Sequence, residues 1–245
     1  MNIVTVDYYC RKQRDHSQIV MIETKAVPIL YSLRNCPYAM RARIAIYKAN
    51  MRVLLRDVVL SNKPAAMLAS SPKGTVPVLV LGQDQEAAPH AVIEESLELM
   101  LWALANNDPG DLLHGHDPEA LPAMFTLIAR FDEKFKNCLE QYKCAKRYHE
   151  DNLSDCRQLC EPYLQDLEQR LEQQPFIMSS KESLADIAIL PFIRQFARIE
   201  RQWYLQSPYP KLRQWLNQYL QSVMFTKVMA KTPLWLEKRE DVYFV

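Results

Sequence analysis

Between Val27 and Leu104 the apolar residues come in short runs broken by turn formers, and beyond Leu121 they recur every three or four residues. The two halves of the chain therefore predict different architectures. Val27-Pro28-Ile29-Leu30-Tyr31-Ser32 reads as a short buried strand, and Ala42 to Tyr47 as a helix without an internal breaker. Val53 to Val59 reads as a second strand, and Lys63 to Leu68 as a short helix or turn opened by Pro64. Ser70 to Thr75 is a turn leading into Val76 to Leu81. A proline cannot donate within a central strand, so Pro77 is expected at that strand's first residue. Gly82 to His90 reads as a long hairpin turn, Ala91-Val92-Ile93 as its return strand, and Glu94-Glu95-Ser96 as the opening of an apolar helix, Leu97 to Leu104. This order predicts a mixed four-stranded sheet covered by helices.

Asn106 to Asp111 is the clearest break, and two of the four glycines fall at it, Gly110 within the run and Gly115 just beyond. Beyond it Phe125, Ile128, Phe131, Phe135 and Leu139 keep helical spacing within a run from Leu121 to Arg147. Ser154 to Glu172 is a further helix, and Lys211 to Ser222 another after Pro208-Tyr209-Pro210. Ser183-Leu184-Ala185-Asp186 has the spacing of a capping box, with Asp where Glu or Gln is usual, and opens Ile187 to Ile199. The division expected is an N-terminal extension over 1–26, an α+β domain over 27–105, a linker over 106–119 and an all-helical domain over 120–245. Within the extension, the charged run Arg11 to His16 suggests an appended tail with Met21 as the natural start; an ordered strand from Ile3 to Tyr8 is the alternative.

With 245 residues, 49% of them hydrophobic, the chain has ample material for a packed core. A formal net charge of +1 suggests neither nucleic acid nor a membrane surface as partner. No apolar run is long enough to span a bilayer and the N-terminus lacks the pattern of a secretory signal, so a cytoplasmic location is expected. The six cysteines then read as reduced thiols rather than a disulfide framework.

Cys36 stands at a strand–loop–helix junction, with Pro37 at the first helical position where its missing N–H is no loss. A thiol placed there faces the positive end of the helix, and Arg41 and Arg43 are expected to make the place more electropositive still, which favours thiolate. A small buried hydrophobe at a helix start is the alternative. Cys138, Cys144, Cys156 and Cys160 contain no Cys-x-x-Cys pair, and no metal is expected. Tyr142, Tyr148, Trp203 and Tyr204 either line an apolar pocket between the halves or belong to the helical core. His114 and His116 read as surface residues of the linker.

The run from Cys36 to Arg43 resembles the cysteine-type, omega-like members of the soluble glutathione transferases. So do Asn62-Lys63-Pro64, Gly74-Thr75-Val76-Pro77-Val78-Leu79, Val92-Ile93-Glu94-Glu95-Ser96 and Ser183 to Ala188. The resemblance implies a thioredoxin-like first domain, an all-α second domain and a homodimer. It implies glutathione as co-substrate, a small hydrophobic or disulfide second substrate, and Cys36 as nucleophile. It further implies a cis Val76–Pro77 bond, with the Val76 backbone pairing with the ligand's cysteinyl residue like an added strand. Ser96 would take the γ-glutamyl carboxylate, Glu95 the ligand ammonium and Lys63 the glycyl carboxylate. Ala39 stands where a dithiol motif has its second cysteine, so exchange would be monothiol. Glutathione conjugation to electrophiles and a non-catalytic protein-binding regulator are the competing activities.

Overall fold

The computed structural model describes residues 27–82, 91–236, 240 and 242–245. The expectations for the extension, and all but the first residue of the expected hairpin turn, lie outside them. Strand β1 (Ile29–Ser32) is parallel to β2 (Val53–Asp57) and antiparallel to β3 (Val78–Leu81), which pairs with β4 (Ala91–Ile93). Pro77 falls immediately before β3, where it removes no ladder hydrogen bond.

The expected four strands are joined by a fifth, β5 (Val242–Phe244), antiparallel to β2 at the far edge, so the sheet order is β4-β3-β1-β2-β5. Three residues are too few to show an alternating pattern, which is why this strand was not expected. The segment before it is tied to the same edge. The Trp235 N–H donates to the Asp57 carbonyl at 2.8 Å, and its ring meets Tyr31 edge-on at 6.0 Å. The end of the chain, counted above with the helical half, thus closes the sheet.

Helix α1 (Pro37–Lys48) is the centre of the fold. It packs on α3 (Ser96–Asn106) beside the sheet, and on α7 (Leu184–Ala197) of the helical half. A short helix α2 (Ala65–Ser70) precedes β3. In the helical half, the single helix expected from Leu121 to Arg147 is interrupted. It consists of α4 (Ala120–Arg130), a π-helical turn (Phe131–Phe135) and α5 (Lys136–Tyr148). Phe131 and Phe135, both fully buried, meet Tyr163 with ring centroids 5.9 and 5.5 Å away. Tyr163 lies on α6 (Leu153–Gln173). Two short helices, α8 (Arg201–Gln206) and α10 (Val223–Val228), flank α9 (Pro210–Leu220). At six residues each, they lie below the length at which a 3.6-residue period shows.

The capping-box spacing at Ser183 marks a buried polar knot. Asp186 is fully buried, and its Oδ2 accepts from the Ser183 N–H at 3.0 Å and the Ser183 hydroxyl at 2.6 Å. Its Oδ1 accepts from the Ile177 N–H at 2.9 Å and from Trp215 Nε1 at 3.0 Å. Burial pushes the Asp186 carboxyl above its ordinary value, and these donors oppose that push. One side chain therefore joins the start of α7, the preceding loop and α9. Asp186→Ala leaves these buried donors without an acceptor and is expected to lower unfolding stability by about 3 kcal/mol. Urea denaturation reads this as a lower midpoint at unchanged slope; a loss below about 1 kcal/mol would show that the knot is not what holds these elements together.

Candidate functional site

Cys36 is the N-cap of α1, in extended conformation (φ −74°, ψ 125°). Its N–H donates to the Leu33 carbonyl at 3.0 Å, and its own carbonyl accepts from Met40 N–H at 2.9 Å. Both bonds hold the sulfur at the helix entrance. The thiol is partly buried, with Sγ 4.0 Å from the Val76 carbonyl oxygen. The Val76–Pro77 peptide is cis.

The two arginines expected to assist the thiol do something else. Arg41 is fully buried and turned toward the helical half. Its Nε donates to the Ala188 carbonyl at 2.7 Å, and its two terminal nitrogens bind Asp132 bidentately at 2.9 and 2.5 Å. The Phe192 ring lies 4.5 Å from this guanidinium. Arg43, 1% exposed, turns to the sheet and bonds the Ser32 hydroxyl at 2.8 Å, Asp57 at 3.0 Å and the Val228 carbonyl at 3.3 Å. Burial pushes the Arg43 guanidinium below its usual range, and Asp57 opposes this. Each charge is held by a carboxylate, and the Cys36 sulfur, which makes no capping bond to the first turn of α1, has the Val76 carbonyl as its neighbour.

A cavity of about 670 Å³ opens between the two halves. Val76, Pro77, Glu95 and Ser96 line it from the sheet side, with Tyr38 of α1; Phe125, Ile128, Asp132 and Lys136 line it from the helical half. Four of the six expected site residues are thus brought together. Cys36 is not among the walls and touches their edge through Val76. Lys63 is not among them either: its side chain folds against Gly74 and borders a separate groove of about 240 Å³ beside Trp235. Gly74 has φ +63°, a backbone conformation that favours glycine, and a Cβ there would lie 3.0 Å from the flexible end of Lys63.

Ser96 is buried at the first position of α3, and Glu95 is its N-cap. The Glu95 carboxylate is half-exposed and ion-paired with Lys73, which also lines the cavity. The neighbouring Glu94 accepts from the buried Ser71 hydroxyl. Burial, followed by the charge of Glu95, pushes the Glu98 carboxyl above its ordinary value. Burial, and next the charge of Asp132, pushes the Tyr38 hydroxyl up to about 12, so at neutral pH it is a neutral donor on the cavity wall.

Lys73, Tyr38 and Asp132 were not expected at the site. Lys73 stands in the Ser-Pro-Lys-Gly turn just before Val76, a position that sequence order alone could have flagged. Asp132 gave no local signal, because its partner is 91 residues away. Of the four aromatic residues for which a pocket and the helical core were both open, none lines this cavity. Tyr142 is buried with its hydroxyl donating to Glu200 at 2.9 Å, Tyr148 is exposed, and Trp203 and Tyr204 pack on Phe196 in the helical core. His114, expected at the surface, is partly buried with its Nε2 3.1 Å from the Glu182 carbonyl oxygen. Burial pushes the thiols of Cys138, Cys156 and Cys160 up. Among the described residues no cluster of His, Cys, Asp and Glu could hold a metal ion, and no helix is long and apolar enough to cross a membrane.

Two family models match this chain in succession: "Glutathione S-transferase, N-terminal domain" over residues 30–111 and "Glutathione S-transferase, C-terminal domain" over 125–218. The chain belongs to the glutathione S-transferase family, on its omega-like side. It is 26% identical over 171 residues to rat glutathione S-transferase omega-2, which covers 68% of this chain but only 64% of the relative's length. With human glutathione S-transferase omega-2 it shares 26% identity over 195 residues, 77% of this chain and 74% of the relative. The fold is similar to that of a Pseudomonas fluorescens family member solved with two glutathione bound (TM-score 0.70, 17% identity, covering 90% of this chain and 97% of that one). It is also similar to that of glutathione transferase Omega 2C from Trametes versicolor (TM-score 0.69, 20% identity, 82% and 92%).

Because Asp132 both walls the cavity and holds Arg41, the buried ion pair couples site shape to stability. Arg41→Met is expected to lower unfolding stability by about 2–3 kcal/mol, discounted from the fully buried case because Asp132 is 27% exposed. Chemical denaturation checks this, and a variant as stable as the parent would remove the pair from its structural role.

Proposed function

We propose that the chain catalyses glutathione-dependent thiol exchange, reductively removing glutathionyl groups from mixed disulfides, with Cys36 as the nucleophile. The observation that carries this reading is the place of the Cys36 sulfur: at a helix N-terminus, 4.0 Å from the Val76 carbonyl, beside a cavity whose walls include Glu95 and Ser96. The Val76 backbone pairs with the cysteinyl residue of glutathione, and the N-terminus of α3 with Ser96 receives the γ-glutamyl carboxylate. Glu95 takes the ammonium. Lys63 takes the glycyl carboxylate from its groove beside Gly74. The first domain, 27–105, holds glutathione, and the helical domain within 120–245 supplies the wall for a disulfide or hydrophobic second substrate. Two copies pair as a cytoplasmic dimer.

In the first step the Cys36 thiolate attacks the glutathionyl sulfur of a mixed disulfide. The new Cys36–glutathione disulfide forms as the old S–S bond breaks, and the substrate leaves as thiolate. A second glutathione thiolate then attacks the glutathionyl sulfur, releasing oxidised glutathione and restoring the Cys36 thiolate. Ala39 offers no neighbouring thiol, so glutathione itself completes the cycle.

Cys36→Ser is expected to bring the rate of mixed-disulfide reduction, followed as oxidised glutathione formed, down to the uncatalysed background. A hydroxyl neither ionises near neutrality nor forms the covalent intermediate. A serine variant that still exchanges disulfides would sink the assignment. If it instead retains or gains activity toward an aryl halide while the parent is idle on mixed disulfides, conjugation is the main reaction. Failure of the parent to bind immobilised glutathione would favour a non-catalytic relative that binds a protein partner.

A further inference from the structure

We propose that Lys73 is a ligand-exchange residue of the glutathione site. It is paired with Glu95 when the site is empty, and released to the ligand's γ-glutamyl α-carboxylate when the ligand's ammonium takes Glu95. This rests on the glutathione-binding reading above and adds to it a residue and a mode of discrimination.

Lys73 and Glu95 are ion-paired on the wall of the main cavity, next to Ser96. Their side chains are 49% and 61% exposed, so the pair is weak and readily opened, unlike the buried Arg41–Asp132 pair. The γ-glutamyl end of glutathione carries an ammonium and a carboxylate on one carbon. A lysine beside a glutamate is the matching arrangement with the signs reversed. Exchanging one half-exposed pair for two such pairs leaves no charge unpartnered.

The surroundings make the lysine decisive. Glu94, Glu95 and Glu98 all line this wall, and all three act on Lys73. A carboxylate arriving beside Ser96 therefore meets three like charges. Among the described wall residues Lys73 and Lys136 are the cations, and Lys136 stands on the helical half, on α5. Without Lys73 the helix N-terminus alone would have to offset that repulsion. With it, the site selects an amino acid end that carries both charges.

The test uses the full chain and three tripeptides in titration calorimetry: glutathione, 4-aminobutyryl-cysteinylglycine, which lacks the α-carboxylate, and glutaryl-cysteinylglycine, which lacks the ammonium. The parent is expected to prefer glutathione over either analogue by about tenfold, the worth of one charge-assisted contact. In Lys73→Met the preference over the aminobutyryl peptide falls several-fold toward unity. The preference over the glutaryl peptide stays or grows, because Glu95 no longer has a competitor for the ammonium. Lys73→Arg restores the first preference. If Lys73→Met keeps the parent's full preference for the α-carboxylate while glutathione still binds the parent, the exchange role is wrong and the glutathione site stands. If the parent binds none of the three, the glutathione-binding reading falls and this inference with it.

Discussion

The bidentate ion pair between Arg41 and Asp132 is the constraint on which the rest of the structure depends. Arg41 has no exposed surface, and a buried guanidinium without its carboxylate is strongly unfavourable. The pair also spans the two halves, because Arg41 is on α1 and Asp132 is in the π-helical turn after α4. Satisfying that one charge therefore sets how the sheet domain meets the helical domain. It also places Asp132 on the cavity wall, opposite Glu95 and Ser96. Arg43 repeats the arrangement on the other side of α1, tying it to the Asp57 end of β2 and to the carbonyl of Val228. The N-terminus of α1, where Cys36 sits, is thereby held from both sides.

The two ion pairs at the cavity divide the work between fixed and exchangeable. Arg41–Asp132 is enclosed and defines shape, whereas Lys73–Glu95 is half-exposed and can trade partners with a zwitterionic ligand. Cys36 needs neither. Its sulfur stands at the entrance of α1 with the Val76 carbonyl as neighbour, Cys138, Cys156 and Cys160 pack in the helical half, and Cys144 is exposed on α5.

Much of this was legible in the sequence because the informative signals are local. Pro37, Pro64 and Pro77 mark element starts, the Ser183–Asp186 spacing marks a helix start, and Val76-Pro77 and Glu95-Ser96 do fall on one cavity. What was not legible depends on contacts between distant residues. Arg41 and Arg43 are two residues apart, about 200° around a helix, so they point to opposite sides. Both were expected to lend positive charge to Cys36, an expectation that holds only until α1 is seen to be buried on both sides. The π-helical turn hides within an unbroken apolar period, since Phe131 and Phe135 are buried either way. β5 returns from the far end of the chain, and nothing in its three residues names β2 as partner.

The central claim is that Cys36 alone carries a glutathionyl group through the reaction, and the most direct measurement is the mass of the protein during that cycle. After oxidised glutathione is added and the mixture is quenched in acid, the account predicts one glutathionyl adduct per chain. Peptide mapping should place it on Cys36, and it should be lost when reduced glutathione is added. An adduct on Cys144 or Cys138 with Cys36 unmodified, or a Cys36 adduct that reduced glutathione cannot remove, would contradict it.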